Sequence, residues 1–470
     1  YLAGFQPIGA QANPEEERKP VISQVPFGVN NPFDYTETDT SGESCIKSKS
    51  VLKTTSSYSE NHIEASDLEK CLPVAAGYMN NIKDIGINVI SRYFTREYDK
   101  GGMFNFESGR GGEVAVQLFV KRFGNYFWAA ISPVSSKGFA GDINIETHKI
   151  IEKNESDKKK IYLPASEAGF AEWQKWLNAV FDYLNDHNAL DKLAYIQIGN
   201  ESDGEYVKKN KIERDNPDDF YWSDYAKLVE KSHDIIRLRS PKTKIAIGSI
   251  GGGSVALDGF HGPVLKYLAG KINEKGGIIE GSKKCGGSGC FDVFDYHDFS
   301  GYKEYKGRTA CQPRDCVSPI IKIKKTPQNM KKLLSDSGFS DKKLAVQQGG
   351  TYTGQDRKVN QMEEYQTEED QASYLVKRAI YLLANGVEQI QFGTYVENPC
   401  YNGTIHNWFT MMGFVYNGIP EKGAQDCEEK ESGKKFIKET CDGQLPCPDP
   451  GKGVKKLSYY TYKKLIEVLK

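Results

Sequence analysis

Short apolar runs recur along the chain and end near Asn30 (VPFGVN), Tyr93 (INVISRY), Pro133 (YFWAAISP), Glu201 (AYIQIGNE), Ile250 (TKIAIGSI), His297 (FDVFDYH), Gln348 (KLAVQQ) and Tyr395 (EQIQFGTY). Most are apolar on consecutive rather than alternate positions, which predicts parallel strands covered on both faces. Between them the period lengthens to 3.6. Ala75, Tyr78, Met79, Ile82 and Ile85 keep it before the second run, and Phe170, Trp173, Leu177, Val180, Phe181 and Leu184 before the fourth. Tyr225, Leu228, Val229, Ser232, Ile235 and Ile236 precede the fifth, and Leu375, Val376, Ala379, Ile380 and Leu383 the eighth. That eighth-run helix opens on Thr367 with an acid three residues on, the start of a capping box. A last helix carries Tyr462, Leu465, Ile466 and Leu469. Eight such repeats predict an α/β fold, a (β/α)8 TIM barrel rather than an open doubly wound sheet.

The repeat is interrupted in a way that sets the domain plan. Residues 1–25 read as an N-terminal extension and 26–470 as one catalytic domain. A polar, Ser/Thr-rich stretch covers 34–70, and loop insertions fall at about 265–290, 300–325 and 398–455. Loops that follow strands gather at the C-terminal face of a barrel, so the last insertion is expected to wall a pocket.

Charge narrows the partners. The 62 Lys and Arg balance 63 Asp and Glu over 470 residues, which leaves no field to hold nucleic acid or an anionic membrane surface. No apolar run approaches the length of a membrane span. The ten cysteines cluster in loop-like segments, which favours long disulfide-bearing loops and an oxidising compartment. The competing reading is a zinc site made of the two C-x4-C pairs Cys285/Cys290 and Cys311/Cys316, a spacing looser than that of a zinc ribbon. Asn154 and Asn402 open N-glycosylation sequons. A secreted or extracytoplasmic location is expected, any signal peptide lying ahead of Tyr1; Ala10-Gln11-Ala12 resembles a cleavage site, but the segment before it is too polar.

Chemistry concentrates at the ends of the runs. The fourth closes on Asn200-Glu201, an amide and a carboxyl at a barrel mouth. In a low-dielectric pocket such a Glu can keep its proton near neutral pH and give it up as a general acid. Its Asn neighbour offers a donor and an acceptor to a sugar hydroxyl. Tyr296, Tyr395 and Trp408 are candidates for contact with sugar rings, and Glu397 for a hydroxyl acceptor. Asp203 is a candidate cap for the segment after Glu201. The glycine loops SIGGGS and GGTYTG match no P-loop. No metal and no organic cofactor is expected.

These residues carry a resemblance. The chain is similar, from about Phe27 to Lys470, to clan A, the (β/α)8 retaining glycoside hydrolases whose acid/base is the Glu of an Asn-Glu pair ending strand four. In that clan the nucleophile is a Glu ending strand seven. The resemblance implies an acid/base role for Glu201, an orienting role for Arg92 and a site position for His297, with an oligosaccharide or polysaccharide as partner. FDVFDYHDF resembles the clan's sixth strand, and QASYLVKRAIYLLANGVEQIQF its seventh helix leading into strand eight. It also exposes a departure: KLAVQQGGTYTG places Gln348 where the nucleophilic Glu is expected. An amide is a poor nucleophile, yet it is nearly isosteric with Glu and still bonds sugar hydroxyls. Three readings of Gln348 stand side by side: a Glu-to-Gln change in an otherwise active retaining hydrolase, a natural non-catalytic glycan-binding protein, or another carboxylate, Glu397 or Asp356, in the nucleophile's role.

Overall fold

The computed structural model describes residues 27–30, 50–63, 80–87, 89–96, 104–105, 116, 120, 124–135, 137–144, 147–156, 162–207, 218, 220–251, 257–299, 327–351, 353, 367–392, 412–416 and 453–469. Eight strands form one parallel ring: β1 (Phe27–Asn30), β2 (Val89–Thr95), β3 (Tyr126–Ser132), β4 (Leu193–Ile198), β5 (Lys244–Ile250), β6 (Val293–Tyr296), β7 (Lys343–Gly350) and β8 (Val387–Phe392). Each pairs with the next in sequence order, and β1 pairs with β8, so the sheet closes with no free edge. The fold is a (β/α)8 barrel, as the run pattern predicts.

Helices α1 (Glu167–Asp186), α2 (Trp222–Arg239), α3 (Gly262–Leu268), α4 (Pro327–Ser337), α5 (Glu368–Ala384) and α6 (Leu457–Leu469) surround it. Thr367 caps α5 in a complete capping box with Asp370. Only the end of the helix predicted over 75–85 lies among the described residues, at 80–85. In α5 the buried stripe is Tyr374, Leu375, Arg378, Ala379 and Leu382, while Ile380 is 50% exposed. The stripe is turned because Arg378 reaches inward. Its Nε and Nη2 clasp both oxygens of the buried Asp298, just past β6, the Nη2 bond being 2.6 Å. A second buried pair, Arg96 and Asp142, joins the end of β2 to a short strand at Asp142–Asn144; both side chains are fully excluded from solvent and meet at 2.8 Å. No helix among the described residues is long and apolar enough to cross a membrane.

Two cores follow from the strand alternation. The larger lies between sheet and helices and takes Ile90, Phe94, Phe127, Ile131, Ile196, Ile247 and Phe294 with the aromatic faces of α1, α2 and α6. The smaller fills the ring with Val89, Trp128, Tyr195, Ala246, Val293 and Ala345. Trp128 stacks on Tyr195 at 4.2 Å. Below that layer, Lys244 Nζ donates to both Glu388 oxygens at 2.8 Å and Tyr195 Oη to one of them at 3.1 Å, which closes the floor with a polar plug. Above it the lumen turns polar. Trp128 Nε1 donates to Gln197 Oε1 at 2.7 Å, and Gln347 Nε2 to Ser91 Oγ at 2.5 Å. Gly28 makes room on this side: a Cβ there would stand 2.9 Å from Gln391 Cγ and 2.9 Å from Val89 O.

Cys285 and Cys290 form a disulfide in the loop after α3. That bond uses two of the four cysteines of the zinc reading and so removes it. The other eight cysteines lie outside the described residues.

Candidate functional site

The site is built where the strands end. β4 stops at Ile198, three residues before the predicted end, because Gly199 (φ 77°) and Glu201 (φ 50°) turn the backbone left-handed into a one-turn helix, Ser202–Glu205. Left-handed backbone at a non-glycine residue is unfavourable and collects at functional positions. The turn is anchored from below. Glu205 accepts from Ser132 Oγ at 2.9 Å and from the Asn200 N–H at 3.3 Å. Asp203, expected as a local cap, instead accepts from the Gly251 N–H at 3.0 Å, tying the loop after β4 to the loop after β5.

Asn200 and Glu201 thus stand at the mouth with residues from four other strands. Asn200 Oδ1 accepts from Tyr93 Oη (β2) at 3.2 Å and from Ser249 Oγ (β5) at 3.2 Å, and it meets Gln348 Nε2 (β7) at 3.5 Å. Gln348 Nε2 also donates to Tyr93 Oη. Glu201 Oε1 lies 3.1 Å from His297 Nδ1, just past the end of β6, and His297 Nε2 lies 2.9 Å from Ser249 Oγ. His297 is buried and the Glu201 side chain is 41% exposed, so the carboxyl is held on one side and open on the other. Gly251 permits this: a Cβ there would stand 2.5 Å from Glu201 Cδ.

Of the residues expected at the site, Glu201, Asn200, Gln348 and His297 are brought together. Arg92 is buried between Ser91 and Tyr93, and its Cβ leaves β2 on the face of Ile90 and Phe94. Tyr296, expected to touch substrate, is fully buried in the core that β6 shares with the helices; alternation gives the inner face to Asp295 and His297. Tyr395, Glu397 and Trp408 lie outside the described residues, as do Asp356 and Asn402. Tyr93 and Ser249 are the members that sequence reasoning missed. Tyr93 was legible as the inner-face neighbour of Ser91, two residues on.

Beneath the site, Asp295 accepts the Gln347 N–H at 2.7 Å and has no solvent contact. Burial pushes its carboxyl up to about 6, against the pull of His297, two backbone N–H groups and Ser249. Between about pH 4 and 6 the unfolded chain has released this proton while the folded chain keeps it. Stability therefore falls as pH rises through that interval and levels off above it. Asp295→Asn retains the acceptor for Gln347 and should remove that slope. The variant's urea stability relative to the parent is expected to rise by about 3 kcal/mol from pH 4 to 6.5; parallel curves would show that Asp295 is not the group.

No protein-family model matches the chain, and no curated protein does. Solved structures with a similar fold include a family 39 glycoside hydrolase from the gut symbiont Bacteroides cellulosilyticus WH2, at 13% identity and a TM-score of 0.46, over 84% of this chain and 61% of that one. The chain thus spans less than two thirds of that protein. An endo-laminarinase from Formosa Hel1_33_131 aligns at 13% identity and a TM-score of 0.41, over 84% of this chain and 88% of the other. An active-site mutant of Rhizomucor miehei β-1,3-glucanosyltransferase, in complex with laminaritriose, aligns at 9% identity and a TM-score of 0.37, over 72% and 86%. At these values the likeness adds nothing to the residues of the mouth, and those residues carry the functional reading.

Proposed function

We propose that the chain is built as a retaining glycoside hydrolase that acts on a β-linked poly- or oligosaccharide by double displacement, and that Gln348 holds it in a nucleophile-inactivated form. One observation carries this reading. Glu201 and Gln348 come from opposite sides of a closed barrel to the same mouth, and Asn200 stands between them with a hydrogen bond to the amide at 348.

In this reading Glu201 protonates the leaving oxygen and later activates water. His297 supports its carboxyl from behind. Asn200 holds a hydroxyl of the sugar next to the reacting carbon, and Tyr93 sets the side chain at 348. Tyr395, Trp408 and Glu397 contact the sugar. The Cys285–Cys290 disulfide favours an oxidising, extracytoplasmic setting.

Binding tests the reading without turnover. Calorimetry of the unaltered chain against a panel of β-linked oligosaccharides should find a ligand, and Asn200→Ala should weaken it about tenfold, the worth of one good hydrogen bond. A panel that gives no heat at all would sink the reading.

A further inference from the structure

Ser249 belongs to the site but has no part in the roles just assigned. Its backbone is left-handed (φ 45°), next to Gly248 (φ 102°), at an irregularity in the β5–β6 register between Ile247 and Ile250. The side chain is fully buried. This backbone kink carries Oγ to a point within hydrogen-bond distance of three groups at once.

A serine hydroxyl has one proton and two lone pairs. The Glu201 N–H, a donor whatever the state of its neighbours, occupies one lone pair at 3.2 Å. Asn200 presents Oδ1 at 3.2 Å, the same oxygen that accepts from Tyr93 Oη and faces the Gln348 amide nitrogen, so it takes the Ser249 proton. Asp295, whose carboxyl also draws on Ser249, would be a second acceptor and leads to the same assignment. What remains on Oγ is a lone pair, and it faces His297 Nε2 at 2.9 Å. A lone pair there is met by an N–H.

His297 therefore keeps a proton on Nε2. While the ring is neutral its Nδ1 has none, and Nδ1 faces Glu201 Oε1 at 3.1 Å. Two acceptors cannot stay face to face at that distance, so one proton lies between them, on Oε1 or on Nδ1. We propose that Ser249 is a positioning residue: by accepting from His297 Nε2 it fixes the ring's tautomer and so stores one proton between His297 Nδ1 and the carboxyl of Glu201. Under the hydrolase reading, this is the proton the acid gives to the leaving group.

Among the described residues, the titratable groups near the ring come from several elements. Glu201 comes from the turn after β4, Asp295 from β6 itself and Tyr93 from β2. Asp203 is held by the Gly251 N–H, and Glu205 by Ser132 and the Asn200 N–H. Gln348 brings an amide and no charge.

The test reads the ring directly in the unaltered chain. Imidazole 15N shifts distinguish the Nε2–H tautomer, the Nδ1–H tautomer and the imidazolium. The chain has seven histidines, and His297→Gln identifies the signal of interest. His297 is expected as Nε2–H or imidazolium, with the neutral Nδ1–H form missing. In Ser249→Gly, which suits the left-handed backbone, and in Ser249→Ala, the neutral ring should move to Nδ1–H and donate to an ionised Glu201. The pH at which the pair releases its shared proton should then fall by a unit or more. A neutral Nδ1–H ring in the unaltered chain would overturn the proposal, as would a tautomer unchanged in both variants. The hydrolase reading supplies only the consequence for catalysis. Absence of glycan binding would defeat that reading and leave the ring assignment standing, and the reverse holds equally.

Discussion

Gln348→Glu is expected to raise hydrolysis of aryl β-glycosides by roughly 10⁴-fold or more, with retention of anomeric configuration, because in the proposed mechanism it supplies the second carboxyl. The surroundings of residue 348 suit the exchange. The side chain is 7% exposed and already meets the hydroxyl of Tyr93, and a carboxylate of nearly the same shape would accept that hydroxyl's proton. A carboxylate also stabilises the positive charge that develops on the sugar ring, which a neutral amide does far less well. Product anomers are followed by NMR in the first minutes of reaction. No gain, with glycan binding unchanged, would identify a non-catalytic glycan-binding protein on the same barrel. A gain with inversion would reject double displacement.

Asp142→Ala should be the most damaging of the substitutions away from the mouth, at about 3–5 kcal/mol of folding stability in urea denaturation. Asp142 and Arg96 are both fully buried, and Asp142 also accepts the Phe139 N–H at 3.0 Å. Removing the carboxylate takes its paired acceptor oxygens from a guanidinium that is fully buried. Replacing both partners with apolar residues of similar volume should recover most of the loss, because the double variant buries no charge. A single variant that loses less than about 1 kcal/mol would show that water reaches Arg96 when its partner is gone.

The strands were legible because parallel barrel strands bury both faces, and a short run apolar on consecutive positions between helical repeats is the direct trace of that burial. The same regularity concealed the lumen. Ser91, Gln197, Asp295 and Gln347 sit inside apolar runs, and each finds its partner on another strand, far away in sequence. Gln347 looks like an idle neighbour of Gln348 until Ser91 is found across the ring. Glu201 and Gln348 were found because a carboxyl or amide at a strand end has a chemical reading of its own. Ser249 does not: a serine beside glycines looks like loop, and only the left-handed backbone and His297 give it a role. Arg92 shows the converse, since its position along β2 was legible but the face its Cβ leaves from depends on counting from Tyr93.

The plug of Lys244, Glu388 and Tyr195 settles how the mouth can be filled. With the floor sealed and Trp128 stacked above it, the barrel is a cup rather than a pipe. Anything that reaches Gln348 must enter and leave from the C-terminal face of the ring. Under the hydrolase reading, an arriving glycan and a departing fragment would therefore use the same C-terminal face of the ring.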